Sequence, residues 1–302
     1  MKVGIIGLGR MGFAVAERLS QAGYSVEGYD RDERIRKQAQ KASMTVAMSL
    51  EQLIQENQIL WIMIPAGDPV EQVLSVIKRY ASKHTIVVDA GNSKFSDSMR
   101  RSKELASHNV SFLDCGVSGG IHGRTHGFSL MIGGSRSIFE QLVGLFQAIA
   151  VKDGYAYVGP SGAGHYVKMV HNGIEYALLQ AYAEGLQLIT EGTFKDDQLD
   201  LQEITRVWMH GSIIRSWILD LAHTIFSREI DFDAISGEVD ATGMGSWTVE
   251  EADQYHVPVQ LIKDAVAIRT ASHVTKGNFA TKLVALLRHE FGGHAFYSKK
   301  NS

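Results

Sequence analysis

A glycine-rich turn near the N-terminus constrains this fold more than any other feature. Lys2 to Ile6 reads as a short buried strand that runs straight into Gly7-Leu8-Gly9-Arg10-Met11-Gly12, a GxGxxG, followed by the amphipathic stretch Phe13 to Gln21. The first glycine permits a tight turn, the second lets backbone approach a pyrophosphate, and the third lets helix pack close on strand, with the phosphates at the helix N-terminus. Alone, the motif is weak evidence. Here a second strand, Ser25 to Tyr29, ends in Asp30, 18 residues beyond Gly12, close to the spacing of the acid that binds an adenosine ribose. Gly7, Leu8, Gly9, Arg10, Met11, Gly12 and Asp30 are therefore expected to hold a dinucleotide. A carboxylate at that position accepts from both ribose hydroxyls of NAD and repels the 2′-phosphate of NADP, which favours NAD. Arg31 complicates this, because a guanidinium there is able to stack on adenine or pair with a 2′-phosphate, so NADP use stays open.

Strands and helices then alternate, as a parallel sheet requires. Ser49 with Gln52 marks a capped helix, and Ile59 to Ile64 is an apolar strand ended by Pro65. A helix over Val70 to Tyr80 precedes the strand Thr85 to Asp89, which opens into Ala90-Gly91-Asn92-Ser93. A helix over Ser98 to Ser107 and a strand over Val110 to Cys115 lead to Gly116-Val117-Ser118-Gly119-Gly120. A Gly-rich loop then runs to Gly127, ahead of the strand Phe128 to Ile132, a helix to Ile149 boxed by Ser137 and Glu140, and a last strand at Ala156 to Val158. In open α/β sheets ligands lie beyond the carboxyl ends of strands, which places Asn92 and Ser118-Gly119-Gly120 at the nicotinamide and substrate. Locally these are ordinary turn residues.

From Gly162 helical periods take over. The expected class is α/β: an N-terminal Rossmann-like doubly wound sheet over residues 1–160, then an all-α domain over 161–302 for substrate and oligomerisation. The first helix, N-capped by Ser161 and reaching about Ile189, puts Lys168, His171, Asn172 and Glu175 at i, i+3, i+4 and i+7 on one face. Val167, Val170, Ile174, Leu178 and Tyr182 on the other are expected to pack into a core. Singly, the lysine and the acid read as solvated charges and the histidine as a satisfied core residue. Together they suit proton transfer, because a desolvated amine removes a proton near neutral pH and a half-buried carboxyl returns one. Further helices are expected over Leu199 to Trp208, Ser212 to Phe226, Thr248 to Tyr255, Pro258 to Ser272 with Pro258 at N1, and Phe279 to His289.

A net charge of -3 gives no basic excess for nucleic acid or an acidic membrane. Cys115, the single cysteine, forms no intramolecular disulfide, reads as a core residue and fits a reducing compartment. With no Cys/His cluster for zinc, no signal segment and no membrane-length apolar run, the expectation is a cytoplasmic protein without a metal.

GLGRMG, AGNS at Ala90 to Ser93, GVSGG at Gly116 to Gly120 and GAGHYVKMVHNGIEY at Gly162 to Tyr176 together resemble the 6-phosphogluconate dehydrogenases, in their short, often NAD-preferring form, from residue 1 to about 297. The KMVHNGIEY string is specific, since the wider β-hydroxyacid dehydrogenases tend to carry an Asn pair where this chain has His171-Asn172-Gly173. The resemblance implies Lys168 as general base and Glu175 as general acid. It implies Asn92, Ser118, Gly119, Gly120, His171, Asn172 and Tyr176 around a phosphorylated sugar acid, with Asn92 also beside the cofactor. Arg269 matches the family's phosphate-binding arginine. Arg288 and His294 match a tail pair that reaches into a neighbouring subunit of a homodimer or homotetramer. One departure is that the phosphate-binding lysine of the long enzymes falls on Thr242.

Two other functions compete. A β-hydroxyacid dehydrogenase acting on a small non-phosphorylated acid has no need of Glu175 and gains from the missing lysine. A noncatalytic NAD-binding regulator would keep GLGRMG and Asp30, with no reason to carry Lys168 and Glu175 together.

Overall fold

The computed structural model describes residues 1–241 and 243–297. The chain divides into two units, Met1–Lys168 and Met169–Ser302, so the division falls inside a helix. The first unit runs β1 (Lys2–Ile6), α1 (Arg10–Gln21), β2 (Ser25–Tyr29), α2 (Glu33–Lys41), β3 (Thr45–Val46), α3 (Leu50–Glu56), β4 (Ile59–Ile62), α4 (Asp68–Tyr80) and β5 (Ile86–Asp89). It continues through α5 (Phe95–Ala106), β6 (Ser111–Ser118), α6 (Gly123–His126), β7 (Phe128–Gly134), α7 (Arg136–Gln141), α8 (Val143–Ile149) and β8 (Ala150–Gly159).

The strands form one sheet in the order β3-β2-β1-β4-β5-β6-β7-β8. Every neighbouring pair is parallel except β6 with β7. This antiparallel step departs from the parallel pairing that the alternation of strands and helices suggests. Its cause is the connection over residues 119–127, too short for the crossover that parallel neighbours need. Helices cover both faces, so Ile59, Leu60, Trp61 and Ile62 of β4 are all buried and feed two cores. Val3, Ile5, Leu19 and Trp61 lie in one, and Ile6, Leu53, Leu60, Ile62 and Leu74 in the other. Each such side chain contributes about 1.5–3 kcal/mol.

Ser49 caps α3 as expected, accepting from the Gln52 N–H at 3.1 Å. The box expected at Ser137 and Glu140 does not form. The Ser137 hydroxyl bonds that of Ser135, Glu140 pairs with Arg136, and the helix breaks at Leu142, which is buried as the chain turns.

The second unit begins within α9 (Ala163–Glu191) and continues through α10 (Leu201–Met209), α11 (Trp217–Phe226), α12 (Met244–Gln254), α13 (Gln260–Thr275) and α14 (Phe279–Gly292). Its core joins Leu179, Ala183 and Leu186 of α9 to Leu221 and Ile225 of α11 and Leu283, Val284 and Leu287 of α14. This reverses the expected orientation of α9. Ile174 is 51% exposed and Leu178 46%, with Val167 exposed as well, while the buried face carries Met169, Tyr176, Leu179 and Leu186. The helix is apolar nearly all round, so its periodicity does not say which side the protomer buries.

Its first turn is not capped by Ser161, whose hydroxyl donates to the Ser98 carbonyl; Asp114 of β6 supplies the cap instead. Other starts shift too. The segment expected from Ser212 becomes helical only at Trp217, capped by Ser216, and Pro258 precedes Val259, the N-cap of α13. Among the described residues no helix is long and apolar enough to cross a membrane.

Candidate active site

The GLGRMG turn is built for close backbone approach. Gly7 has φ +96°, and a Cβ there would come 2.4 Å from the Met63 carbonyl oxygen, while one on Gly12 would meet the Gly7 oxygen at 2.0 Å. Gly9 is exposed with nothing around its missing side chain, and α1 starts there with no side-chain cap and no acid in its first turn. A helix N-terminus without a side-chain cap, opening at an exposed glycine, suits a pyrophosphate. Asp30 Oδ2 accepts from the Leu8 N–H at 2.8 Å and Oδ1 from the Asp32 N–H at 2.9 Å, so the carboxylate is locked to the turn with lone pairs to spare for ribose hydroxyls. These residues fit a dinucleotide. The neighbouring cations differ in freedom: Arg34 pairs with Asp32, Arg36 bonds the Asp30 and Arg31 carbonyls, and Arg31 is exposed. Met11 is half-buried at the first turn of α1. A cavity of about 420 Å3 brings Leu8, Gly9 and Arg10 together with Gly120, so two separately expected segments line one space.

Asn92 is exposed on the loop after β5, and that loop is braced from beneath. Asp89 accepts from the Gly91 N–H at 3.2 Å and the Ser93 hydroxyl at 2.8 Å, and Arg101 of α5, fully buried, donates to both Asp89 and Ser93. Sequence reasoning missed Arg101, because α5 is mostly polar and one arginine on it carries no signature of burial. Lys168 is 6% exposed and seats on β6, where a Cβ on Gly116 would meet the Lys168 Cβ at 2.4 Å. Strand β6 then runs on to Ser118, with Gly119 and Gly120 half-buried after it. Within the first unit, then, the lysine stem packs on Gly116, the first residue of the GVSGG segment. Burial, reinforced by the charges of Asp114 and Asp89, pushes the Cys115 thiol up, as suits an inert core residue.

In the second unit His171 Nδ1 lies 3.0 Å from Asn172 Oδ1, and Asn172 Nδ2 donates to the Met244 sulfur at 3.4 Å. Glu175 is half-buried. Arg269 is 2% exposed and Arg288 4%. The Arg269 guanidinium lies 3.3 Å above the Tyr176 ring, and its Nη1 and Nη2 have no hydrogen-bond partner among the described residues. Desolvation lowers its pKa to about 10, with the Arg288 charge adding to the effect and Tyr176 and Glu175 opposing it. Arg288 is lowered chiefly by desolvation too. Tyr176 is thus buried beneath a guanidinium. His294 follows α14, its carbonyl accepting from His289 Nδ1 at 2.9 Å and its ring edge-on to Phe291. Thr242 lies outside the described residues. Among the described residues no three His, Cys, Asp or Glu side chains group to hold a metal.

A doubly wound sheet whose glycine turn and locked acid fit a dinucleotide, followed by helices carrying a buried amine and two buried guanidiniums, defines a nicotinamide-dependent oxidoreductase. Comparison with known proteins makes the class particular. Residues 2–159 match the NAD binding domain of 6-phosphogluconate dehydrogenase and residues 164–295 its C-terminal domain, so the chain belongs to the 6-phosphogluconate dehydrogenase family. It is 40% identical over 299 residues to the NAD(+)-dependent, decarboxylating 6-phosphogluconate dehydrogenase of Haloferax volcanii, covering 97% of this chain and 98% of that one. The 6-phosphogluconate dehydrogenase of Plasmodium falciparum, solved apo and with NADP+ and with substrate, superimposes with a TM-score of 0.83 at 28% identity, over 91% of this chain and 63% of that one. The 3-hydroxyisobutyrate dehydrogenase of Mycobacterium tuberculosis shares the fold, with a TM-score of 0.74 at 19% identity over 95% and 99% of the two chains.

Proposed function

We propose that this protein oxidises and decarboxylates 6-phosphogluconate to ribulose 5-phosphate with reduction of NAD. The bound nicotinamide supplies the hydride acceptor, held by Gly7 to Gly12 and Asp30. Lys168, as the neutral amine, takes the proton of the hydroxyl being oxidised. As the ammonium it then polarises the new carbonyl while the carboxylate leaves as carbon dioxide, and it protonates that oxygen as the enediol forms. Glu175 delivers a proton to the carbon that lost the carboxylate while Lys168, neutral again, takes back the proton of the enediol oxygen, which leaves the ketone. Asn92, Ser118, Gly119, Gly120, His171 and Asn172 orient the sugar acid, while Arg269 and Arg288 take its phosphate, with Tyr176 supporting Arg269.

The observation that carries this reading is the pair of buried guanidiniums, one of them with neither terminal nitrogen hydrogen-bonded among the described residues. Two desolvated cations are costly unless a doubly charged anion joins them, and a small non-phosphorylated acid has only a carboxylate to offer. This weighs against the β-hydroxyacid alternative.

With 6-phosphogluconate and NAD the purified protein is expected to form reduced nicotinamide and carbon dioxide in equal amounts. The kcat/KM for NAD is expected to exceed that for NADP. Absence of product with either cofactor at saturating substrate rejects the activity, and a better kcat/KM with NADP rejects the ribose argument built on Asp30.

We also infer a homodimer or homotetramer whose C-terminal tail completes a neighbouring site through His294, Arg288 being buried beside Arg269 in its own chain. The exposed Val167, Ile174 and Leu178 on α9 support a covered face. Light scattering is expected to give at least twice the chain mass, and a monomer at micromolar concentration removes the idea.

A further inference from the structure

The N-terminus of α9 is held by a carboxylate from another element. Asp114, fully buried on β6, accepts from the Gly162 N–H at 2.6 Å through Oδ1 and from the His165 N–H at 2.9 Å through Oδ2. A helix start leaves its first N–H groups without intrahelical partners, and an anion there also gains from the helix dipole. Ordinarily such a cap comes from the residue just before the helix. Here it comes from 48 residues upstream, which ties the helix to the sheet.

Two further contacts remove the remaining freedom. A Cβ on Gly164 would come 2.5 Å from the carbonyl oxygens of both Asp114 and Met131, so the helix rests on bare backbone of β6 and β7. His165 Nδ1 lies 2.7 Å from the Ser98 hydroxyl, which sets the rotation of the helix about its axis. Asp114 and Gly116 are i and i+2 on β6 and share a face, while Gly164 and Lys168 are i and i+4 on α9 and share a face. One strand therefore provides both the anchor for the helix start and, two residues on, the seat of the lysine stem.

We propose that Asp114 is a positioning residue for Lys168: by gripping the first turn of α9 it fixes where the amine one turn later stands over β6. This rests on the reading of Lys168 as the base. A displacement of about 1 Å at a reacting group can cost about 10²-fold in rate, so a slipped anchor is expected to be read in chemistry rather than in cofactor binding.

The test compares Asp114→Asn, Asp114→Ala, Lys168→Met and the Lys168→Met/Asp114→Asn double variant. Asparagine keeps the shape and one acceptor oxygen and alanine keeps neither, so kcat is expected to fall in the order wild type, Asn, Ala, by about 10²-fold at the end. The dissociation constant of NAD, from fluorescence titration, is expected to stay within about twofold. With 6-phosphogluconate deuterated at the carbon being oxidised, the isotope effect on kcat is expected to rise in both Asp114 variants, because hydride transfer becomes slower. A loss of folded molecules would lower the rate and leave the isotope effect unchanged. The double variant is expected to be no slower than Lys168→Met alone. Wild-type kcat in Asp114→Asn and Asp114→Ala, an unchanged isotope effect, or additive losses in the double variant overturns the proposal. Near-normal turnover in Lys168→Met rejects the base reading itself. Should Asp114→Ala fail to fold, the same measurements on the isosteric Asp114→Asn decide between these outcomes.

Discussion

Lys168→Met is expected to lower kcat about 10²- to 10⁴-fold while the affinity for NAD stays unchanged. Methionine keeps the unbranched stem that packs on Gly116 and removes only the amine, so the seat on β6 survives the change. The fold is expected to hold, because the packing on Gly116 is made by the stem and methionine retains it. The proposed nucleotide site lies elsewhere, at the turn that Gly7, Gly12 and Asp30 lock. Single-turnover hydride transfer and NAD titration on the same preparation separate the two effects. Turnover close to wild type would take Lys168 out of the base role, and a parallel loss of NAD binding would mean that the substitution had disturbed the sheet.

Much of this architecture is legible because the first unit is locally self-consistent. Strands buried on both faces write themselves as uninterrupted apolar runs, as Ile59 to Ile62 do, and the glycine turn admits few other structures. What the string does not carry is tertiary. The reversal at β7 depends on the length of a connection whose own short helix is invisible among its glycines. The exposed side of α9 reads as core because Ile174 and Leu178 are as apolar as Leu179 and Leu186, and only neighbours decide which pair a protomer buries. Ser161 has the residue type and place of a cap, yet the acceptor is Asp114, far upstream, and no local window contains both partners. Of the proposed site the string carries residue types, Lys168 and Glu175 on one helix. The burial that gives Arg269 its character is not legible, since nothing in the string around it marks it as inside.

That burial leads to the second large effect. Arg269→Met is expected to make the ligand-free protein more stable and the enzyme worse at once. Because the folded pKa of Arg269, about 10, lies below its unfolded value, burying the charge destabilises the protein at every pH below about 10. The deficit fades only as the pH climbs from there toward the ordinary guanidinium range, and by the size of the shift it amounts to roughly 3 kcal/mol. Methionine packs on the Tyr176 ring without that deficit, so the Tm is expected to rise by a few degrees. An anion that joins Arg269 and Arg288 relieves the same deficit in the wild type. Inorganic phosphate should therefore raise the wild-type Tm and leave that of the variant nearly still. In catalysis, loss of a charge-assisted contact to phosphate is expected to lower kcat/KM for 6-phosphogluconate about 10²-fold, with little change for gluconate, which has no phosphate to lose. A lower Tm together with a phosphate response like that of the wild type would mean that the guanidinium serves the fold and that the phosphate is held elsewhere.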